Sequence, residues 1–436
     1  MDPATDLCAA RDILIGDGVI LELGDPGSLD ATACDRVLDA DGLVIAPGLV
    51  DGHVHFRDPG QTHKEDIYTG AAAAVKGGFT SVIMMGNTTP PPDSPERVEE
   101  LYARAEGLPI HAYTCGNVTV GMRGQVLTDM EALAKAGAVL FSDDGKPIIE
   151  ESVMRRACVQ ALKLGRVISL HEEDPSYILD NGINASVVAR RLGIDGSMRA
   201  AEISMVRRDI EIARDIGAEL MVQHISAAES VELIRRARAE GIRIHAEATP
   251  HHFTLTDEAV KEYGPLARMN PPLRTSADRE AIIGGLSDGT IEVIATDHAP
   301  HTLEEKFAGR KESPGQTPHW DPEAKDAADI LRSAPSGITG LETSLGLSVR
   351  ELSGHMSLMR ILKCMTIGPA GIYGLDKIAG AGMIREGGPA DLCLFKPDET
   401  WTFDSTVSRS ANTPFLGQSM PARVHYTICR GRIVYG

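Results

Sequence analysis

Eight short apolar runs, bounded by turn residues and separated by segments of helical periodicity, restrict the fold of this 436-residue chain more than any other feature. They cover 43–50, 79–85, 109–114, 138–142, 167–170, 219–223, 243–248 and 292–296. Each suits one strand, and a helical crossover between consecutive strands sets them parallel. The pattern predicts an α/β chain closed into a (β/α)8 TIM-type barrel. An open doubly wound sheet also accounts for the alternation. It does not account for reactive side chains at the ends of so many strands.

Local signals agree with this pattern. Thr62-His63-Lys64-Glu65, Thr128 with Glu131, and Ser226 with Glu229 match the capping box, in which paired side chains satisfy the free N–H groups opening a helix. Ser94 before Pro95 is a further start, and Gly77-Gly78 and Gly107 are stops. The termini differ from the middle. Residues 1–46 carry short strand patterns around Gly16-Asp17-Gly18, and residues 382–436 are again strand-rich, notably Asp391-Leu392-Cys393-Leu394-Phe395. The two ends are expected to pair into a small β-sandwich domain beside a barrel spanning 47–381. The least regular stretch, 303–335, contains Gly309, Pro314, Gly315, Pro318 and Pro322 and reads as a long, lid-like loop.

Composition removes several function classes. Hydrophobic residues at 42% and charged residues at 24% are ordinary for a globular enzyme. No run approaches the roughly 18 apolar residues of a membrane span. Met1-Asp2-Pro3 does not open a secretory signal, so a cytoplasmic location is expected. A net charge of −19 argues against nucleic acid and anionic membrane as partners, and an acidic substrate would need a local cationic site. Seven cysteines without a C-x-x-C pair give neither a disulfide framework nor a thiolate zinc module. A metal would have to be held by histidine and carboxylate.

Those residue types stand where a barrel keeps its chemistry. His53 and His55 flank Val54 after the first strand, and i, i+2 spacing sends both imidazoles to one side. Asp144 follows the fourth strand, His171 ends the fifth, His224 follows the sixth and Asp297 the eighth. Alone, each is as well explained by a structural hydrogen bond; together they mark the carboxyl-terminal rim. Imidazole and carboxylate donors suit zinc, although manganese or cobalt could occupy similar sites. The donor count exceeds one tetrahedral shell, so two ions are favoured over one. Zinc lowers the pKa of bound water to about 7, which makes hydroxide the expected nucleophile.

Two longer motifs carry a family resemblance. Asp51-Gly52-His53-Val54-His55-Phe56-Arg57-Asp58-Pro59-Gly60 and Ala295-Thr296-Asp297-His298-Ala299-Pro300-His301 resemble the signatures of dihydroorotases. Phe141-Ser142-Asp143-Asp144-Gly145, Arg268-Met269-Asn270-Pro271-Pro272-Leu273-Arg274 and Asn412-Thr413-Pro414-Phe415 are similar to further family segments, in order. The resemblance is to the bacterial type, in which an aspartate replaces a carboxylated lysine between two metals. It implies that His53, His55 and Asp297 hold one zinc and His171 and His224 the other. Asp144 would bridge them, with neighbouring Asp143 as the alternative. It also implies reversible cyclisation of N-carbamoyl-L-aspartate to L-dihydroorotate, in pyrimidine synthesis. A metal-bridging hydroxide would attack, with Asp297 as general base and then acid. Arg57, two residues past His55, would bind the substrate carboxylate through its planar fork. Asn87 and His301 would complete that site, Asn270 would contact the ring, and Ser336-Gly337 would touch substrate through backbone groups. A homo-oligomer, and association with aspartate transcarbamoylase, are the partners such a protein is expected to have.

The chain departs from the family at two places. Met85-Gly86-Asn87-Thr88 stands where the family has M-P-N-T, so glycine is expected to loosen the backbone that aims Asn87. Pro335-Ser336-Gly337 stands for P-F-G, so the pocket loses an aromatic wall. Two rivals follow: another cyclic-amide hydrolase (hydantoinase, dihydropyrimidinase or allantoinase), and a silent structural partner of aspartate transcarbamoylase. A neutral ring has no use for Arg57, and a silent relative has no need of a full ligand set.

Overall fold

A computed structural model describes residues 1–310 and 317–436 of the protein. The chain opens with an antiparallel hairpin, β1 (Asp12–Gly16) and β2 (Val19–Gly24), then β3 (Val44–Pro47). The barrel strands are β4 (Leu49–Val54), β5 (Phe79–Met84), β6 (His111–Thr114), β7 (Ile168–Leu170), β8 (Leu220–Val222), β9 (Ile244–Ala248) and β10 (Val293–Ile294). After the last barrel helices come β11 (Leu392–Lys396), β12 (Trp401–Thr402), β13 (Ser419–Met420), β14 (Arg423–Cys429) and β15 (Arg432–Tyr435).

Alternation along the strands builds the barrel. Phe79, Val82 and Met84 of β5 pack outward against the helix layer, while Ile83 and Met85 enter the interior cluster. On β8, Leu220 and Val222 face out and Met221 faces in. β4, β5 and β6 pair in parallel, as do β7, β8, β9 and β10. Phe141 bridges Gly116 to Ile168, and His298 bridges back to Val54, so the ring closes. Tyr373 and Leu375 join the interior cluster from the helices after residue 367.

The structure redraws several expected elements. The run 43–50 is two strands: β3 pairs with β11 in the small domain, and β4 begins the barrel. Gly48 makes the break possible, since a Cβ there would collide with the Thr80 side chain. The run 138–142 shrinks to the bridge at Phe141. The helix expected from Thr62 starts later, at Ile67, capped by Asp66 with Thr69, a pairing worth about 1 kcal/mol. Thr128 gives way to Asp129 as cap, and its hydroxyl donates to Asn117 O instead. Ser226 donates to buried Glu202 and does not cap its helix, and Glu229 pairs with Arg199. At Ser226 and Glu229, partners on other elements capture the polar groups that local sequence assigned to the helix.

The two ends meet as strands. β3 from the N-terminal part lies beside β11, β14 and β15 in one sheet, and the β1–β2 hairpin packs on it through Ile13, Ile15, Ile20 and Leu23. Residues 403–418 leave that sheet and return to the barrel mouth, where Asn412 Oδ1 accepts from His301 N–H. The 303–335 stretch holds two short helices, Leu303–Lys306 and Ala327–Ser333. Its Pro314 and Gly315 lie outside the described residues. No helix among the described residues is long and apolar enough to cross a membrane.

Candidate metal centre

His53, His55, Asp144, His171, His224 and Asp297 all converge at the carboxyl ends of the barrel strands, and all are buried. Donor atoms of His53, His55 and Asp297 lie within 4.8 Å of one another, and so do those of His53, Asp144 and His224. His171 joins through Nδ1, 3.0 Å from His224 Nε2 and 3.7 Å from Asp144 Oδ1. Asp144 therefore stands in the middle of the cluster. Asp143 does not: it accepts from the backbone N–H groups of Val118 and Thr119 and from the Thr119 hydroxyl.

Three of the four imidazoles have one nitrogen fixed outside the cluster, which aims the other inward. His53 Nδ1 donates to Glu247 at 2.6 Å, His55 Nδ1 to Asn87 Oδ1 at 2.9 Å, and His171 Nε2 to Glu173 at 2.9 Å. Such outer partners set the tautomer and raise ligand basicity. The inward Nε2 of His53 is buried and has no hydrogen-bond partner, at 3.5 Å from Asp144 and 3.6 Å from Asp297. Burial alone would raise the Asp144 and Asp297 carboxyls, yet the surrounding histidines hold both below the usual range. Burial alone would lower His53, yet Glu247, Asp144 and Asp297 hold it well above its ordinary value. Inward lone pairs, an unpartnered buried nitrogen and hard oxygen donors fit a metal ion.

The backbone is strained where the site is made. Arg57, His224 and Asp297 have φ of 56°, 31° and 44°, a region costing about 1–3 kcal/mol for residues with a side chain. Each follows a barrel strand closely, and the turn swings its side chain over the rim.

A cavity of about 170 Å³ opens on the cluster. His55, Asp144, His171, His224 and Asp297 line it, and so do Arg57, Asn87, Asn270, His301, Ser336 and Gly337. Arg57 is buried, donates to Pro300 O at 3.3 Å and lies 3.3 Å from His301 Nε2. Burial and the Arg57 charge push the His301 imidazole far below its ordinary value, so it is neutral. Asn87 is held by the cluster through His55 and by a donated bond to Asp144 Oδ2 at 3.3 Å. A Cβ on Gly86 would stand 2.6 Å from Asn117 Nδ2, so glycine lets Asn117 pack against this turn. Gly337, at φ 148°, has Ala299 O only 2.6 Å from where its Cβ would be, so a side chain there would press on the pocket.

Sequence reading passed over the supports. Glu247 on β9, Glu173, and Asp51, which accepts from His53 N–H and Thr296 N–H, carry no signal beyond position near a ligand. Lys64, 3.4 Å from His301 Nδ1 and 3.3 Å from Glu305, adds a second cation near Arg57. His251 and His252, left out of the ligand set, hydrogen-bond to Thr249. We expect Glu247→Gln to weaken metal affinity about 10–100-fold, as loss of an outer carboxylate does. Competition against a chromophoric chelator measures it, and unchanged affinity would remove Glu247 from the site.

Comparison with known proteins identifies the family. The family described as "Dihydro-orotase-like" matches residues 42–230, and that described as "Amidohydrolase family" matches residues 197–435. The dihydroorotase of Clostridioides difficile strain 630 is 44% identical over all of this chain and 97% of its own length. That of Lactococcus lactis subsp. lactis is 43% identical over the same shares. The chain belongs to the dihydroorotase family. Among solved structures, the L-hydantoinase (dihydropyrimidinase) of Arthrobacter aurescens superposes with a TM-score of 0.83 at 24% identity, covering 98% of this chain and 92% of that one. The dihydropyrimidinase of Brevibacillus agri gives 0.79 at 21% identity, covering 98% and 91%. At such identities the likeness shows a shared fold, a barrel with an added β domain. The protein is a metal-dependent cyclic amidohydrolase, and its histidine and aspartate cluster is able to hold a metal ion.

Proposed function

We propose that the protein interconverts N-carbamoyl-L-aspartate and L-dihydroorotate, using two zinc ions held by His53, His55, Asp144, His171, His224 and Asp297. One observation carries the substrate choice: the buried Arg57 guanidinium has no ion-pair partner among the described residues, yet it lines the cavity over the metal cluster. A buried cation is normally paired, so this one awaits an anion. In a chain of net charge −19 it is the local feature that admits a carboxylate.

The residues divide the work. Arg57 holds the carboxylate through its fork, and His301, neutral, offers one more hydrogen-bonding nitrogen beside it. Asn270 faces the ring from the cavity wall. The metal, when bound, polarises the ring carbonyl and makes the attacking water acidic near neutrality. Asp297, ionised at the start and 2.9 Å from His55 Nε2, takes the water proton and passes it to the leaving amide nitrogen as the C–N bond breaks. In ring closure the same carboxylate carries the proton back.

The zinc-loaded protein is expected to open L-dihydroorotate with kcat/KM at least ~10²-fold above that for hydantoin or dihydrouracil, the margin a buried charge-assisted contact supplies. The reverse preference would make it a hydantoinase-type enzyme. Metal analysis should return two zinc ions per chain. The proposal places a homo-oligomer in the cytoplasm, which sedimentation of the purified chain tests for assembly. The complete ligand cluster supports a working enzyme over a silent partner of aspartate transcarbamoylase.

A further inference from the structure

Asn270 and the Ser336-Gly337 pair reach the cavity from two segments that are neither helix nor strand. Backbone contact holds them only in part, through the bond from Gly337 N–H to Arg268 O, that from Met269 N–H to Gly182 O, and the bridge of Ile338 to His298. Both segments meet at one side chain. Lys306 Nζ donates to Pro335 O at 2.8 Å, Pro265 O at 3.0 Å and Arg268 O at 3.2 Å. An ammonium has three donors and no acceptor, and here all three are used. Lys306 is 0% exposed, and among the described residues no carboxylate pairs with it. A buried charge without a counterion is costly, and an apolar side chain would fill the same space without that cost. The cationic residue is therefore explained by what it holds.

What it holds is the pocket wall. Pro335 O immediately precedes Ser336-Gly337, and Arg268 O lies two residues before Asn270. Arg268 O also accepts from Gly337 N–H at 3.0 Å, and Ser336 Oγ donates to Asn270 Oδ1 at 3.2 Å. That last bond orients the Asn270 amide. Lys306 itself closes the short helix Leu303–Lys306, whose capping box of Thr302 and Glu305 starts directly after His301. One ammonium thus joins the helix beside the anion site to both segments of the wall.

We infer that Lys306 is a positioning residue for the substrate ring, acting through the carbonyls of Pro265, Arg268 and Pro335 to fix Asn270, Ser336 and Gly337. It touches neither metal ligand nor substrate. The inference rests on the proposed reading of the substrate pocket.

Steady-state kinetics of full-length, zinc-loaded Lys306→Met and Lys306→Gln test it, with metal content and thermal melting measured alongside. Lys306→Met should raise KM for L-dihydroorotate about tenfold or more while kcat stays within about threefold and zinc content is unchanged. Lys306→Gln, which keeps two donors, should recover part of the loss. An unchanged KM in folded Lys306→Met overturns the inference. So does a fall in kcat together with zinc, or failure of both variants to fold, since either makes Lys306 purely structural. If the unmodified protein does not open L-dihydroorotate, the substrate reading fails instead. The same KM comparison then runs on whichever of hydantoin or dihydrouracil it does open.

Discussion

Asp297→Asn should leave a folded protein whose kcat on L-dihydroorotate falls by at least ~10³-fold, because one substitution removes two functions. The carboxylate sits 2.9 Å from His55 Nε2 and 3.6 Å from His53 Nε2, in the group of donors able to share an ion. It also lines the cavity, where it can reach water and substrate. Proton transfer by a placed side chain is worth about 10²–10⁴ in rate, and an amide neither accepts that proton nor supplies the ligand charge. Stripping the metal with a chelator should reach the same floor, with activity returning when zinc is added. Zinc content read beside kcat separates the two functions. If Asp297→Asn keeps its zinc and works within tenfold of the unmodified protein, Asp297 is not the proton carrier.

Arg57→Gln should lower kcat/KM on L-dihydroorotate by about 10–150-fold, the equivalent of the 1.5–3 kcal/mol usual for hydrogen bonds to a charged group. Most of the change belongs in KM, since the carboxylate is remote from the bond that breaks. The side chain is placed without slack: its Nε donates to Pro300 O, its Nη2 meets His301, and its own backbone sits at φ 56°. Arg57→Lys should recover little, because a point charge cannot reproduce the planar fork and would leave Pro300 O unmet. Hydantoin and dihydrouracil serve as internal controls. They lack the carboxylate, so their turnover should not fall with Arg57, and a parallel fall would show that Arg57 acts on the fold of the mouth.

Much of the site was legible in the chain because ligand chemistry is local. Asp51 to Gly60 and Ala295 to His301 present their donors within a few residues, and strand ends fix which rim they occupy. The eight-fold alternation was legible for the same reason, since inward and outward faces need only a period of two. Where sequence reading slipped, distant chain had intervened. Thr62 with Glu65 reads as a capping box, but the Ser408 hydroxyl, Arg409 N–H and His298 all converge on Glu65 from far away, and the cap moves from Thr62 to Asp66, with the helix starting at Ile67. At Gly86 the reason for glycine is likewise a distant neighbour, since Asn117 occupies the space a Cβ would need.

The amino-acid order by itself determined the clustered donors, their sequence around the barrel and the arginine two residues past His55. Tertiary structure alone decided which nitrogen of each imidazole points inward, which carboxylate stands behind it, and which lysine gathers the pocket wall. His53 and Glu247 are 194 residues apart, and the carbonyls on Lys306 come from two separate segments, around 265–268 and at Pro335. A hydrogen bond is directional and short, so its partner is chosen by where the backbone ends up, and that is settled only when the whole barrel closes.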